Sequence, residues 1–311
     1  MNKIAITTGD PNGIGAEITI KALNNMNLDE NKIVLISNKK VLNFYGNLNK
    51  NYEIIEIPYE KENIKVGEIT KDAGEFSFQS LKKVCEIKPT AIVTAPVAKE
   101  AMHFAGHLFN GQTEVLQHYL AKGNQLAEML FIANTFRVLL LTRHCALKEI
   151  SLTQDLVVTK IQNLAQTFKT KFGIEHPKFA LCGFNPHAGE HGIIGTEEID
   201  ILLPAVEELR KSGINITAPL PADTLFVDAA RHYFKGEKDE FDCYIANYHD
   251  QGLIPIKTIA GMGTVNTTIG LDIIRTSPGH GTAFDIAGKG IADEKGMIAA
   301  IQTALKFSEK N

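Results

Sequence analysis

Tryptophan is absent from the 311 residues, cysteine occurs only four times, and no apolar run approaches the length of a membrane span. A helix crossing a bilayer needs about 18 consecutive apolar residues, so no spanning segment is expected. The cysteines (Cys85, Cys145, Cys182 and Cys243) lie far apart with no C-x-x-C among them. Reduced thiols in the cytoplasm are the simplest reading. Positive charge is not in excess either, since 32 Lys and Arg against 36 Asp and Glu leave a net charge of −4. Without a broad basic field, neither nucleic acid nor an anionic membrane surface is an expected partner. The opening MNKIAITTGD enters a strand-like run at once. It lacks the apolar stretch and small-residue cleavage site of a secretory signal, so a cytoplasmic chain is expected.

What the chain does have is an ordinary globular composition, 44% hydrophobic and 22% charged, and a length suited to two domains or one large one. Short β-branched runs (3–7, 32–37, 90–95, 128–133, 137–142, 178–182 and 242–246) recur between longer helical patterns. Most are continuously apolar, as expected for strands covered on both faces. Residues 72–87 carry Phe76, Leu81 and Val84 at helical spacing, and 153–172 carry Leu156, Ile161, Leu164 and Phe168 behind a possible Thr153 cap. Residues 196–212 begin with acids and end with bases, in line with the helix dipole. The alternation predicts an α/β fold with a largely parallel sheet. No repeat or linker divides the chain, so two domains would have to be interleaved.

Two glycine-rich loops stand out. TTGDPNGIG (7–15) follows a strand and opens a helix, where backbone N–H groups can hold an anion. It has no Lys-Ser/Thr after Gly15, and Ile18 falls where a dinucleotide fingerprint needs glycine. A tight strand-to-helix turn is the simpler reading. SPGHGTAFDIAGKGIAD (277–293) combines glycines with His280, Asp285, Phe284 and Ile286. An adenosine-sized ligand would use all of these, and an ordinary surface loop would use none.

His103 and His107 are four apart, but Phe104 stands where a zincin has glutamate and Gly106 weakens the helix, so a surface pair is expected. His187 and His191 lie in a Gly/Pro-containing loop, where one could still be a ligand. His144, His187 and His249 each follow a predicted strand. Parallel strands bring their C-terminal ends to one edge, and three neutral imidazoles would leave a divalent metal an open coordination position. Lys257, Asn266 and Arg275 follow His249 closely and suit a phosphate pocket, although each alone reads as an ordinary surface or turn residue. Gln112 and Thr113 sit at a predicted helix start, where Thr113 could equally be a simple cap.

Read together, TTGDPNGIG, TAPVAK, FNGQTE, GFNPHAGEHGIIGTEE, PLPADTLF, YHDQGLIPIK, VNTTIGLDIIRTS and HGTAFDIAGKGIAD resemble the 4-hydroxythreonine-4-phosphate dehydrogenase (PdxA) family over almost the whole chain. The last segment also looks like the nucleotide loop of isocitrate and isopropylmalate dehydrogenases. The resemblance implies two interleaved α/β domains around a central cleft. One would be a nucleotide-binding domain of 1–107 plus 258–311, the other a dimerisation and metal/substrate domain of 108–257. It implies a homodimer sharing its active site across the interface, with His144, His187 and His249 as ligands of zinc, cobalt or magnesium. Gln112, Thr113, Lys257, Asn266 and Arg275 would bind substrate, with Asp223 and Lys257 as catalytic candidates. NAD, or alternatively NADP, would lie on His280, Gly281, Asp285 and Gly288.

The implied reaction oxidises 4-phosphooxy-L-threonine to a 3-oxo acid that decarboxylates to 3-amino-2-oxopropyl phosphate, on the way to pyridoxal 5'-phosphate. One departure bears on this, because the family carries GHTE where this chain has GQTE, and Gln112 cannot titrate near neutral pH. His144 is also followed by Cys-Ala in place of the family's Leu-Pro, which reads as a packing change. The rival readings are a paralogue oxidising threonate or erythronate 4-phosphate, and a three-histidine metal hydrolase acting on a phosphate ester.

Overall fold

The computed structural model describes residues 3–308. Its strands are β1 (Ile4–Thr7), β2 (Ile33–Ser37), β3 (Glu53–Glu56), β4 (Ala91–Thr94), β5 (Glu128–Ala133), β6 (Phe136–Leu140), β7 (Lys178–Leu181), β8 (Asn215–Ile216), β9 (Cys243–Ala246), β10 (Val265–Ile269) and β11 (Ile274–Pro278). The helices are α1 (Gly15–Asn25), α2 (Lys39–Tyr45), α3 (Lys71–Ile87), α4 (Lys99–Phe104), α5 (Gln112–Leu120), α6 (Gln154–Thr167), α7 (Leu203–Lys211), α8 (Ala222–Lys235), α9 (His249–Ala260) and α10 (Lys295–Ser308). Two compact units emerge, one made of the described residues up to Ala127 together with those from Val265 onward, the other of Glu128–Thr264.

In the first unit the strand order is β3-β2-β1-β4-β11-β10, parallel except that β10 runs antiparallel to β11. The continuously apolar strands divide by alternation. Ile4, Ile6, Ile33, Leu35 and Val93 join a core with α1 and α10, while Ala5, Val34, Ile36 and Ile92 face Phe76 and Val84 of α3. Burial on both faces is what the lack of polar alternation foretold. Residues 108–127, expected in the second unit, pack in this one. The cause is α5, which buries Leu116 with Phe76 and Val84, and Val115 with Phe78, Leu81 and Met102. The return crossing comes at Val265 and not at 258, because residues 258–260 still belong to α9.

In the second unit the order is β5-β6-β9-β7-β8, with β5 alone antiparallel to its neighbour. Phe131, Val138, Ala180 and Tyr244 pack on Leu225, Phe226 and Ala229 of α8 and on Leu253 and Ile256 of α9. Thr153 caps α6 by accepting from the Leu156 N–H, as its position predicted. The helical pattern of 153–172 ends in a π turn at Phe168–Phe172 that closes on left-handed Gly173. That of 196–212 opens with a π turn at Glu198–Leu202, because Pro204 removes an N–H from the ladder at the start of α7.

Candidate active site

The first unit contains a cradle for an anion. Arg275 on β11 is 3% exposed, and among the described residues it makes no ion pair. Its Nε donates to Thr94 Oγ1 at 2.8 Å and its Nη1 to Thr268 Oγ1 at 3.4 Å. Thr268 lies opposite Arg275 and Asn266 opposite Ser277 in the β10–β11 ladder, which puts all four on one face. Burial lowers the guanidinium pKa to about 10, a shift that Glu114 opposes, so it stays charged at neutral pH. A buried charge without a counter-ion costs several kcal/mol, and an anion seated there would offset it. The surroundings are also short of partners. Asn266 Oδ1 and Gln112 Oε1 are both buried without one, while Gln112 Nε2 donates to the Ala95 carbonyl at 3.2 Å. Gln112 and Thr113 form the first turn of α5, which has no side-chain cap and so leaves its N–H groups to a ligand.

The two glycine loops differ in what they need glycine for. In 7–15 the cause is packing: a Cβ on Gly9 would lie 2.2 Å from the Pro96 carbonyl, and one on Gly15 would lie 2.2 Å from the Thr8 carbonyl. This loop is a tight turn, as its spacing suggested. It also seats the second loop, since the Ile14 N–H donates to Thr282 O at 3.0 Å. In the second loop, a Cβ on Gly281 would meet nothing within 4 Å, whereas Gly288 is left-handed and packed on Val66. Asp285 is exposed, and His280 Nε2 is buried without a partner. An open backbone beside unspent polar groups suits a dinucleotide.

The histidines belong to the second unit. The order β6-β9-β7 is parallel throughout, so the C-terminal ends of three neighbouring strands lead to His144, His249 and His187 in turn. The rings of His144 and His249 lie 5.5 Å apart between centroids. Two imidazoles sharing one zinc ion at ordinary Zn–N distances would be about 5 Å apart, so this pair fits a divalent ion. His249 Nδ1 is held by Asp250 at 2.7 Å, which fixes the ring and leaves Nε2 for a ligand. Among the described residues no group of three His, Cys, Asp or Glu side chains converges around a metal position, so His187 stands apart from the pair within one chain. His144 and His187 both adopt left-handed backbone, with φ of 37° and 53°. The five residues His187–His191 are all left-handed. At about 1–2 kcal/mol for each non-glycine residue, such a run costs on the order of 4–8 kcal/mol. Strain on that scale persists where surrounding contacts impose it, and it concentrates at functional positions.

Asp223, in the first turn of α8, is exposed and lines a groove of about 460 Å³ with Phe226, Asp250, Gln251 and Ile254. That places it in the same groove as the carboxylate that orients His249. Lys257 is exposed in the last turn of α9. His103 and His107 hold their local fold. His103 contacts the Phe109 carbonyl, and His107 is stacked on Phe78 and bonded to Glu75, so it is half-buried and not a surface residue. Sequence reasoning missed Thr94 and Thr268, which carry no signal before the strands align, and Asp250, whose signal was its place next to a candidate ligand.

The model of the pyridoxal phosphate biosynthetic protein PdxA matches residues 3–304. The 4-hydroxythreonine-4-phosphate dehydrogenase of Sulfurihydrogenibium sp. (strain YO3AOP1) is 38% identical, with 98% of each chain covered. The D-threonate 4-phosphate dehydrogenase of Pectobacterium atrosepticum is 36% identical over 98% of this chain and 99% of its own. The crystal structure of 4-hydroxythreonine-4-phosphate dehydrogenase from Klebsiella pneumoniae superposes with a TM-score of 0.85 at 34% identity, covering 99% of this chain and 100% of that one. Isocitrate dehydrogenase from Methylococcus capsulatus shares the fold alone, with a TM-score of 0.51 at 15% identity over 98% of this chain and 85% of that one.

Proposed function

Because the chain belongs to the PdxA family, we propose that this dehydrogenase oxidises the secondary alcohol of 4-phosphooxy-L-threonine with NAD. The product is a 3-oxo acid that loses carbon dioxide to give 3-amino-2-oxopropyl phosphate, a step towards pyridoxal 5'-phosphate. The observation that carries the reading is Arg275, a buried cation with no acid paired to it among the described residues. Such a group is built for an anionic substrate.

Arg275 holds one anionic group of the substrate, with the Thr113 end of α5 and Asn266 beside it. Lys257 adds a mobile positive charge. Binding energy from these remote groups orients the carbinol carbon for hydride transfer. His280, Gly281, Asp285 and Gly288 of the 277–293 loop would hold NAD, which when bound would supply the hydride acceptor. The hydroxyl proton passes to a base, for which Asp223 is the candidate. His144, His187 and His249, contributed from both protomers of the dimer, would hold a divalent ion (zinc, cobalt or magnesium), which when bound would supply Lewis-acid stabilisation of negative charge in both oxidation and decarboxylation. Asp250 keeps His249 in the tautomer that a metal ligand needs.

The protein works as a cytoplasmic homodimer. Its free cysteines, of which Cys85, Cys182 and Cys243 are buried, support a reducing compartment. Exposed Val227 and Ile254 on the groove of α8 and α9 support an apolar partner surface. Among the described residues no helix is long and apolar enough to cross a membrane.

A second substrate, D-threonate 4-phosphate, is favoured by relatives of that name, and Gln112 is compatible with either, because its unpartnered Oε1 accepts a hydrogen bond from a hydroxyl as readily as from an ammonium. The test is a panel of 4-phosphooxy-L-threonine, D-threonate 4-phosphate and D-erythronate 4-phosphate with NAD or NADP and a divalent ion, following the absorbance of reduced nicotinamide. Turnover of the first with NAD is expected. No reduction with any member of the panel would overturn the reading.

A further inference from the structure

We propose that Glu198 is the positioning residue for His187, acting through the left-handed turn that carries it; this rests on the reading of His187 as a metal ligand. Glu198 is buried, and among the described residues it has no ion-pair partner. Both its oxygens are spent on one neighbour. Oε1 accepts the Asn185 N–H at 2.7 Å and Oε2 accepts from Asn185 Nδ2 at 2.9 Å. Glu197 accepts the other Nδ2 hydrogen at 2.6 Å, which holds its own carboxyl below the usual range. Asn185 immediately precedes the turn, and the Ala188 N–H donates back to its carbonyl at 3.1 Å.

The same carboxylate also closes the turn from inside. A Cβ on Gly189 would lie 2.7 Å from Glu198 Oε2, so the acid fills the hollow at the middle of the left-handed run. Gly183 packs on the other side, where a Cβ would lie 2.8 Å from the Ala188 Cα. Five consecutive left-handed residues are too costly to persist without such a clamp. Burying an unpaired carboxylate is costly too, and the clamp is the return visible for it. Glutamine cannot replace the acid here, because its amide NH2 would meet the NH2 of Asn185, donor against donor.

The experiment measures Co²⁺ and Zn²⁺ affinity of the full-length protein by competition with a chromophoric chelator, with amide exchange over residues 185–195. Glu198→Gln should weaken metal binding by about 10–100-fold, the usual cost of losing an outer support. Exchange of the turn amides should rise while amides of β7 and β9 keep their protection. Asn185→Asp, which sets a third carboxylate against Glu197 and Glu198, should do the same and serves if Glu198→Gln fails to fold. Wild-type affinity in Glu198→Gln, with His187→Ala having lost the ion, overturns the proposal. Wild-type affinity in His187→Ala overturns the ligand assignment beneath it, even if Glu198→Gln loosens the turn.

Discussion

Asp10 should make this protein less stable as the pH rises through 6. It follows β1 in the first glycine loop and is fully buried. Its Oδ1 accepts the Asn12 N–H at 2.8 Å, while Oδ2 is buried without a partner. Burial raises its pKa from 3.8 to about 6, against the lowering effect of its backbone hydrogen bonds. The native state therefore holds this proton more tightly than the unfolded chain does. The stability it contributes is complete below the unfolded pKa and is lost as pH rises through the folded one. That rise corresponds to about 3 kcal/mol in full, of which about 2 kcal/mol falls between pH 4.5 and 7.5. Asp10→Asn keeps the acceptor for Asn12 but cannot ionise. Urea unfolding of both proteins at several pH values isolates this group, since every other titration is common to the two. The variant should gain on the wild type by about 2 kcal/mol from pH 4.5 to 7.5, whatever its fixed cost for an unpaired amide. A difference that stays constant with pH would refute the reasoning.

Three further outcomes are expected. Arg275→Met removes the buried cation while keeping an apolar stem of similar reach, so the KM for phosphorylated substrate should rise by about 100-fold, in keeping with the roughly 2–3 kcal/mol of a charged hydrogen-bonded contact; steady-state kinetics with the intact fold checked by circular dichroism decides it. Exhaustive chelation should abolish turnover and added Zn²⁺ or Co²⁺ should restore it, whereas activity unchanged in metal-free protein would remove the histidines from the chemistry. Gln112→His should shift the ratio of kcat/KM between 4-phosphooxy-L-threonine and D-threonate 4-phosphate, and an unchanged ratio would show that this position does not read the C2 substituent.

The strands that the sequence revealed were largely apolar runs buried on both faces. Ile4–Thr7, Ile33–Ser37 and Ala91–Thr94 carry no polar alternation because helices cover both sides. It did not reveal Glu53–Glu56, Asn215–Ile216, Val265–Ile269 or Ile274–Pro278, and the last two bury Thr267, Thr268, Arg275, Thr276 and Ser277. Their polar side chains look like those of a loop, although Thr268, Arg275 and Ser277 share one face of the sheet and Thr267 and Thr276 the other, where Thr276 Oγ1 donates to the Ala300 carbonyl. Helix extents followed the same logic. The Thr153 cap was readable in the sequence, while the π turns at Phe168 and Glu198 were not, since they answer to packing and to Pro204.

The amino-acid order by itself determined the alternation of strand and helix, the three histidines each placed just past a strand, and the motifs that carry the family, because these depend on local spacing and side-chain type. Only the tertiary structure decided that Arg275 has no ion-pair partner among the described residues, that His144 and His249 come together while His187 rides a left-handed turn, and that Glu198 lies inside that turn. Each of these is set by which residues from distant parts of the chain share a buried space, and charge, strain and orphaned hydrogen bonds acquire their energies only once that space excludes water.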